Sequence, residues 1–159
     1  MLILYNTTME HTFKVTKTSR EIYKKYLEKY TLEQLNKVPQ GFNNNLIWNI
    51  GHIVVSQQIL VYGGSGLPMM VSENLVNRYR RGTRPERDVT TEEVEEIKSL
   101  LFTTIAKTEE DYRNNIFTTY NPRISELGFD LSSVEDGITF NSYHEAIHLG
   151  IMMELKKFI

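Results

Sequence analysis

Along NNLIWNIGHIVVSQQILVY, residues 44–62, the apolar side chains fall on two interleaved helical stripes. Leu46, Ile50, Ile53 and Leu60 make one; Trp48, His52, Val55, Ile59 and Tyr62 make the other. A helix apolar over so much of its circumference is buried on most sides, so the pattern predicts a central helix over 44–62. GGSGLPM ends it with three Gly and a Pro. A first long helix is expected from about Thr8 to Tyr30, where Ile22, Tyr26 and Tyr30 recur every fourth position and Glu and Lys fill the other faces. Thr31-x-x-Gln34 is a capping box that opens a short helix, and Pro39 and Gly41 stop it. Ser72 caps a short segment, ENLVNRYRRG. A third long helix opens on the capping box Thr90-x-x-Glu93 and runs to about Asn114. The fourth is expected to start near Ser132, through Ser132-x-x-Glu135, and to reach the C-terminus with the stripe Phe140, His144, Ile147, Ile151, Leu155 and Phe158.

No stretch alternates with period two for long enough to make a convincing strand. GITFNSY is the nearest, and the cap before it argues for helix. The expected architecture is all-α: a single domain over residues 1–159, built as a four-helix bundle with a long crossover connection between long helices two and three.

Composition narrows the chemistry. At 159 residues the chain can bury a sizeable core without staples. A formal net charge of −2 gives no basic field suited to a phosphate backbone, so nucleic acid is not an expected partner. There is no cysteine, which excludes disulfides, thiolate metal sites and a protein thiol nucleophile. Any thiol chemistry needs an external thiol. The N-terminal MLILYNTTMEH has one short apolar run, no basic region before it and an acidic residue by position 10, unlike a secretory signal. Apolar stretches fall short of the roughly 20 residues a membrane span needs. A cytoplasmic protein with no membrane partner is the expectation.

The candidate chemistry lies in histidine. His11 falls among polar residues, whereas His52, His144 and His148 lie on or beside the apolar stripes. His144 and His148 are one helical turn apart and project side by side. If the second and fourth long helices are neighbours, three imidazoles converge in the core. Three neutral nitrogens with an open fourth position make a catalytic rather than a structural zinc arrangement, and imidazole accepts nickel, iron and copper as well. A lone His on an apolar face is more often a core residue donating to a backbone carbonyl. Three are harder to place that way, because an unpaired buried polar group costs about 1–3 kcal/mol.

His144-Glu145-Ala146-Ile147-His148 also satisfies H-E-x-x-H, in which a zinc peptidase uses the Glu as general base. Those enzymes take a third ligand downstream. The position six residues after the second His is Glu154, and Gly150 falls one residue early. The surroundings thus contradict a peptidase, and Glu145 is expected to be a partly solvated helix glutamate. NRYRRGTRPER places Arg78, Arg80, Arg81, Arg84 and Arg87 close together. Such a cluster suits an anionic ligand, though a solvated loop or a subunit contact is the commoner outcome. Gly63, Gly64 and Gly66 lack the Lys-Ser/Thr of a phosphate loop and read as a turn.

WNIGHIVVSQQILVYGGSGLP, VSENLVNRYRRGTRP and FNSYHEAIHLGIMMELKK, in that order, resemble the DinB/YfiT-like superfamily of bacterial four-helix-bundle metalloproteins over nearly the whole chain. The resemblance implies that His52, His144 and His148 bind a divalent metal, nickel or zinc foremost, with water completing the shell. It makes the H-E-x-x-H an H-x-x-x-H whose second residue happens to be Glu. It further implies a homodimer and a thiol-dependent S-transferase of the detoxification type, in which the metal activates a low-molecular-weight thiol towards a small-molecule electrophile. Metal-dependent hydrolysis assisted by Glu145, and a non-catalytic metal-binding or dimerisation bundle, stay open beside it. Trp48, Tyr62 and Tyr143 are candidate walls of the site, with core packing as the commoner role for each.

Overall fold

In the computed structural model, residues 7–159 are described; the apolar run at 2–4 lies outside them. The elements are α1 (Thr7–Lys29), α2 (Leu32–Asn36), α3 (Leu46–Gln58) continued by a π-helical turn (Ile59–Gly63), α4 (Glu73–Tyr79), α5 (Thr91–Arg113), β1 (Arg123–Ile124), β2 (Asp130–Leu131) and α6 (Val134–Leu155), which ends in a 3₁₀ turn (Lys156–Phe158). Four long helices form the bundle. α1 packs against α5 and α6, and α3 packs against the same two from the other side. The condition for convergence of the histidines, that α3 and α6 be neighbours, is met. The crossover between α3 and α5 is present and carries α4, which packs back onto α3. No described helix is long and apolar enough to cross a membrane.

The caps explain most of the helix starts. Thr31, Ser72 and Thr90 each accept a hydrogen bond from the backbone of the residue three further on, and Gln34 and Glu93 return it in capping boxes. α3 starts at Leu46, with Asn45 as its cap, two residues later than the apolar pattern suggested. α6 is capped by Ser133 rather than Ser132. The box closes on Asp136, whose carboxylate reaches the backbone N–H groups of both serines, while Glu135 is engaged by the Tyr112 hydroxyl. A two-residue antiparallel hairpin, Arg123 opposite Leu131, was not foreseen. Strands of that length are too short to show period-two alternation.

The register of two helices also differs from the sequence reading. On α6 the fully packed stripe is Val134, Ile138, Asn141, Glu145, His148, Met152 and Leu155. Phe140, His144, Ile147 and Ile151 form its half-buried shoulder, and Phe158 is exposed. On α1 the buried stripe includes Thr16, Arg20, Tyr23 and the expected Tyr26, with Ile22 at its edge and Tyr30 half-buried just beyond the helix. Both shifts share one cause: a polar pair occupies core positions that a hydrophobicity pattern assigns to the surface. Arg20 and Glu145 are each 0% exposed. The Arg20 guanidinium donates through Nε and Nη2 to the Glu145 carboxylate (3.1 and 2.7 Å) and through Nη1 to the Leu101 carbonyl (3.0 Å). Asn141 adds a third donor to Glu145 at 2.9 Å, and the Tyr23 hydroxyl bonds the Glu145 carbonyl. The partly solvated glutamate expected at 145 is therefore a core ion pair between α6 and α1.

Candidate metal centre

His52 comes from the middle of α3, and His144 and His148 from successive turns of α6. Each offers a nitrogen within 4.8 Å of the others', and the ring centroids stand 4.6 to 5.1 Å apart. Three nitrogens about 2.1 Å from one tetrahedral ion would lie about 3.4 Å apart, so small side-chain rotations complete the fit. His52 is 5% and His148 9% exposed, and His144 is more open. Burial is the first cause that holds all three imidazoles neutral. It pulls His144 down to about 4 and His148 to about 3, with the neighbouring imidazoles adding to the effect. His52 is lowered by burial too, against the hydrogen bond to Tyr79 and together with the Arg81 charge. Neutral nitrogens are what a metal needs.

Outer partners set two of the tautomers. His52 Nδ1 lies 2.6 Å from the Tyr79 carbonyl, which can only accept, so the proton is on Nδ1 and the lone pair on Nε2. Ser56 Oγ, 3.3 Å from that Nε2, can donate to it. His148 Nδ1 lies 2.8 Å from Asn49 Oδ1, again an acceptor, so the His148 lone pair is likewise on Nε2. The Asn49 amide is itself pinned, since its Nδ2 donates to the Asn45 carbonyl and to Asn44 Oδ1. His144 differs: its Nδ1 is buried and has no hydrogen-bond partner among the described residues. An orphaned imidazole beside two pre-set lone pairs fits a divalent cation, and this donor set admits zinc, nickel and related ions alike.

Of the residues expected as walls, Trp48 stacks on His52 with centroids 4.6 Å apart and planes 11° from parallel. Tyr143 is exposed and belongs with Phe129 and Phe140 to an aromatic group beside His144. Tyr62 takes no part: it donates to Asp111 at 2.7 Å in the second apolar cluster, around the π turn. Glu145 points away from the imidazoles, and His11 is an exposed residue of α1. In the arginine cluster, Arg78 and Arg87 both bind Glu93, and Arg81 pairs with Glu126.

The sequence reading missed Asn49, Tyr79 and Gly51. Tyr79 acts through a backbone carbonyl, which any residue supplies, so no signal marks it. Gly51 shows why α4 can come so near: a Cβ there would lie 2.5 Å from the Tyr79 ring. Asn49 carries one clue, a polar residue three before His52 in the mostly apolar stretch 46–55.

The family model described as the DinB superfamily matches residues 16–152, a span that includes α3, most of α6 and all three candidate histidines. The chain belongs to the DinB superfamily, whose fold is a four-helix bundle. No curated protein matches it.

Proposed function

We propose that this DinB-superfamily bundle is a metal-dependent thiol S-transferase in which His52, His144 and His148 hold one divalent ion, nickel or zinc, and a low-molecular-weight thiol attacks a small electrophile beside it. The observation that carries the reading is the asymmetry of the three imidazoles. Two have their lone pairs fixed by Tyr79 and Asn49, and the third, the most open, is left with an unpaired buried nitrogen. A divalent cation at these nitrogens supplies Lewis acidity that lowers the pKa of a bound thiol. The chain has no cysteine, so the sulfur must arrive from outside. Phe129, Phe140 and Tyr143 offer an apolar surface next to His144 against which the body of an electrophile can lie. The hydrolytic alternative is less well supported. Its helper, Glu145, is held by Arg20 and Asn141, and the three-His cluster includes no carboxylate.

Metal analysis of the purified protein beside His144→Ala, followed by thiol titration of the cobalt-substituted forms, tests the reading. The expected result is about one metal per wild-type chain, none in the variant, and a visible-band shift when thiol is added to wild type. Metal binding with no thiol-induced shift would overturn the transferase and keep the metal site; no metal in wild type would overturn both.

A further inference from the structure

Trp48 belongs to two places at once. It stacks on His52, and it also lines a cleft of about 520 Å³ between the start of α3 and the α4–α5 connection. That volume falls in the range of small-molecule sites. Ile47, Trp48, Pro85 and Val89 give the cleft apolar surface, and Asn74 and Asn77 give it amides. Tyr79 lines it as well. That residue is 2% exposed and its hydroxyl has no hydrogen-bond partner among the described residues.

The charges around the cleft are not equivalent. Arg78 and Arg87 are occupied by Glu93, the latter through a two-pronged contact at 2.9 and 2.6 Å, and these bonds, Arg87's first, hold Glu93 down to about 2. Arg84 lines the cleft, is exposed, and makes no ion pair among the described residues. Glu86 also lines the cleft. Three guanidinium groups against the carboxylates of Glu86 and Glu93 leave one positive charge, which matches a monoanion better than a dianionic phosphate. A planar guanidinium receives a carboxylate through two parallel N–H···O bonds.

We propose that this cleft binds a carboxylate-bearing small molecule with a flat apolar body: Arg84 receives the carboxylate and the body lies against Trp48 and Pro85. The site is distinct from the three-histidine cluster and shares Trp48 and Tyr79 with its surroundings. It does not depend on the metal reading.

Trp48 is the chain's single tryptophan, and its Nε1–H donates to Thr83, another cleft residue, at 3.2 Å. The one indole N–H cross-peak in a ¹⁵N–¹H spectrum therefore reports on the cleft without assignment. Benzoate, as the smallest flat carboxylate, would be titrated into the metal-free full chain, into Arg84→Ala and into Arg84→Lys, with inorganic phosphate as a second titrant. The expected result is a saturable benzoate shift in wild type, roughly tenfold weaker in Arg84→Ala, with intermediate affinity in Arg84→Lys. No saturable benzoate shift, or equal affinity in Arg84→Ala, would overturn the proposal. Tighter binding of phosphate than of benzoate would overturn the ligand class. Because no metal is present, a failure here is separate from any failure of the three-histidine site.

Discussion

Within the five residues His144–His148, α6 turns two buried faces towards its neighbours, and the two are built on opposite chemistry. On the α1 side Glu145 receives Arg20 and Asn141, and Arg20 extends to the Leu101 carbonyl, so the pair of opposite charges is met almost wholly by the protein. On the α3 side three imidazoles are kept neutral, and one of them retains an unpaired nitrogen. Both faces are polar and both are buried, so neither property separates framework from site. What separates them is completeness. The charges of the ion pair are met by other residues of the chain, whereas His144 Nδ1 has no hydrogen-bond partner among the described residues.

The sharpest way to break this contrast is to remove one member from each face. Glu145→Ala strands a buried guanidinium and should cost about 3–5 kcal/mol. For a chain of this length that is a fall of about 2–4 °C in melting temperature for every kcal/mol. His144→Ala in metal-free protein removes a group that was already unpaired and should cost no more than about 1 kcal/mol. Urea unfolding followed by circular dichroism compares them directly. Equal losses would mean that the imidazole face is as structural as the ion pair.

Next in size is the response to metal. Zinc at a hundred times its dissociation constant should stabilise wild type by about 2.7 kcal/mol and leave His144→Ala and His148→Ala where they were. A thermal-shift series over zinc concentration reads this out. Stabilisation of the variants equal to that of wild type would place the ion elsewhere.

The outer partners give a smaller effect. Asn49→Ala frees the His148 ring and should weaken metal binding about 10–100-fold, measured by competition with a chelator of known affinity. Gly51→Ala would press a methyl group against the Tyr79 ring, cost about 1–3 kcal/mol, and loosen the carbonyl that orients His52.

The smallest effect is that of acid. In the folded chain burial, with the neighbouring imidazoles, holds His144 down to about 4 and His148 to about 3, below the ordinary 6.5. The unfolded chain therefore binds protons first, and stability that is full above about pH 6.5 is lost as pH falls towards the folded values. Between pH 7 and 6 the loss in metal-free protein should be under about 1 kcal/mol per imidazole. Urea midpoints at the two pH values measure it, and the slope should be shallower in His144→Ala.

How far the sequence could be read varied with the range of the interaction. Thr31, Ser72 and Thr90 were legible as caps because each acts on a backbone group three residues away. The cap of α6 was misplaced by one residue because adjacent serines compete for it and only the reach of Asp136 decides. The stripe of α6 was displaced because Asn141 and Glu145 look like surface residues until Arg20, more than a hundred positions earlier in the chain, is brought against them.

The sequence alone determined four long helices, their approximate limits and three histidines on apolar faces, because helical period, capping and the absence of cysteine are local facts. It did not determine which carboxylate or carbonyl would meet which side chain. Only the packing of α3 against α6 made the three imidazoles one site, and only the packing of α1 against α6 took Glu145 out of it. A side chain's role in a core depends on what completes its hydrogen bonds and its charge, and those partners are chosen by the fold.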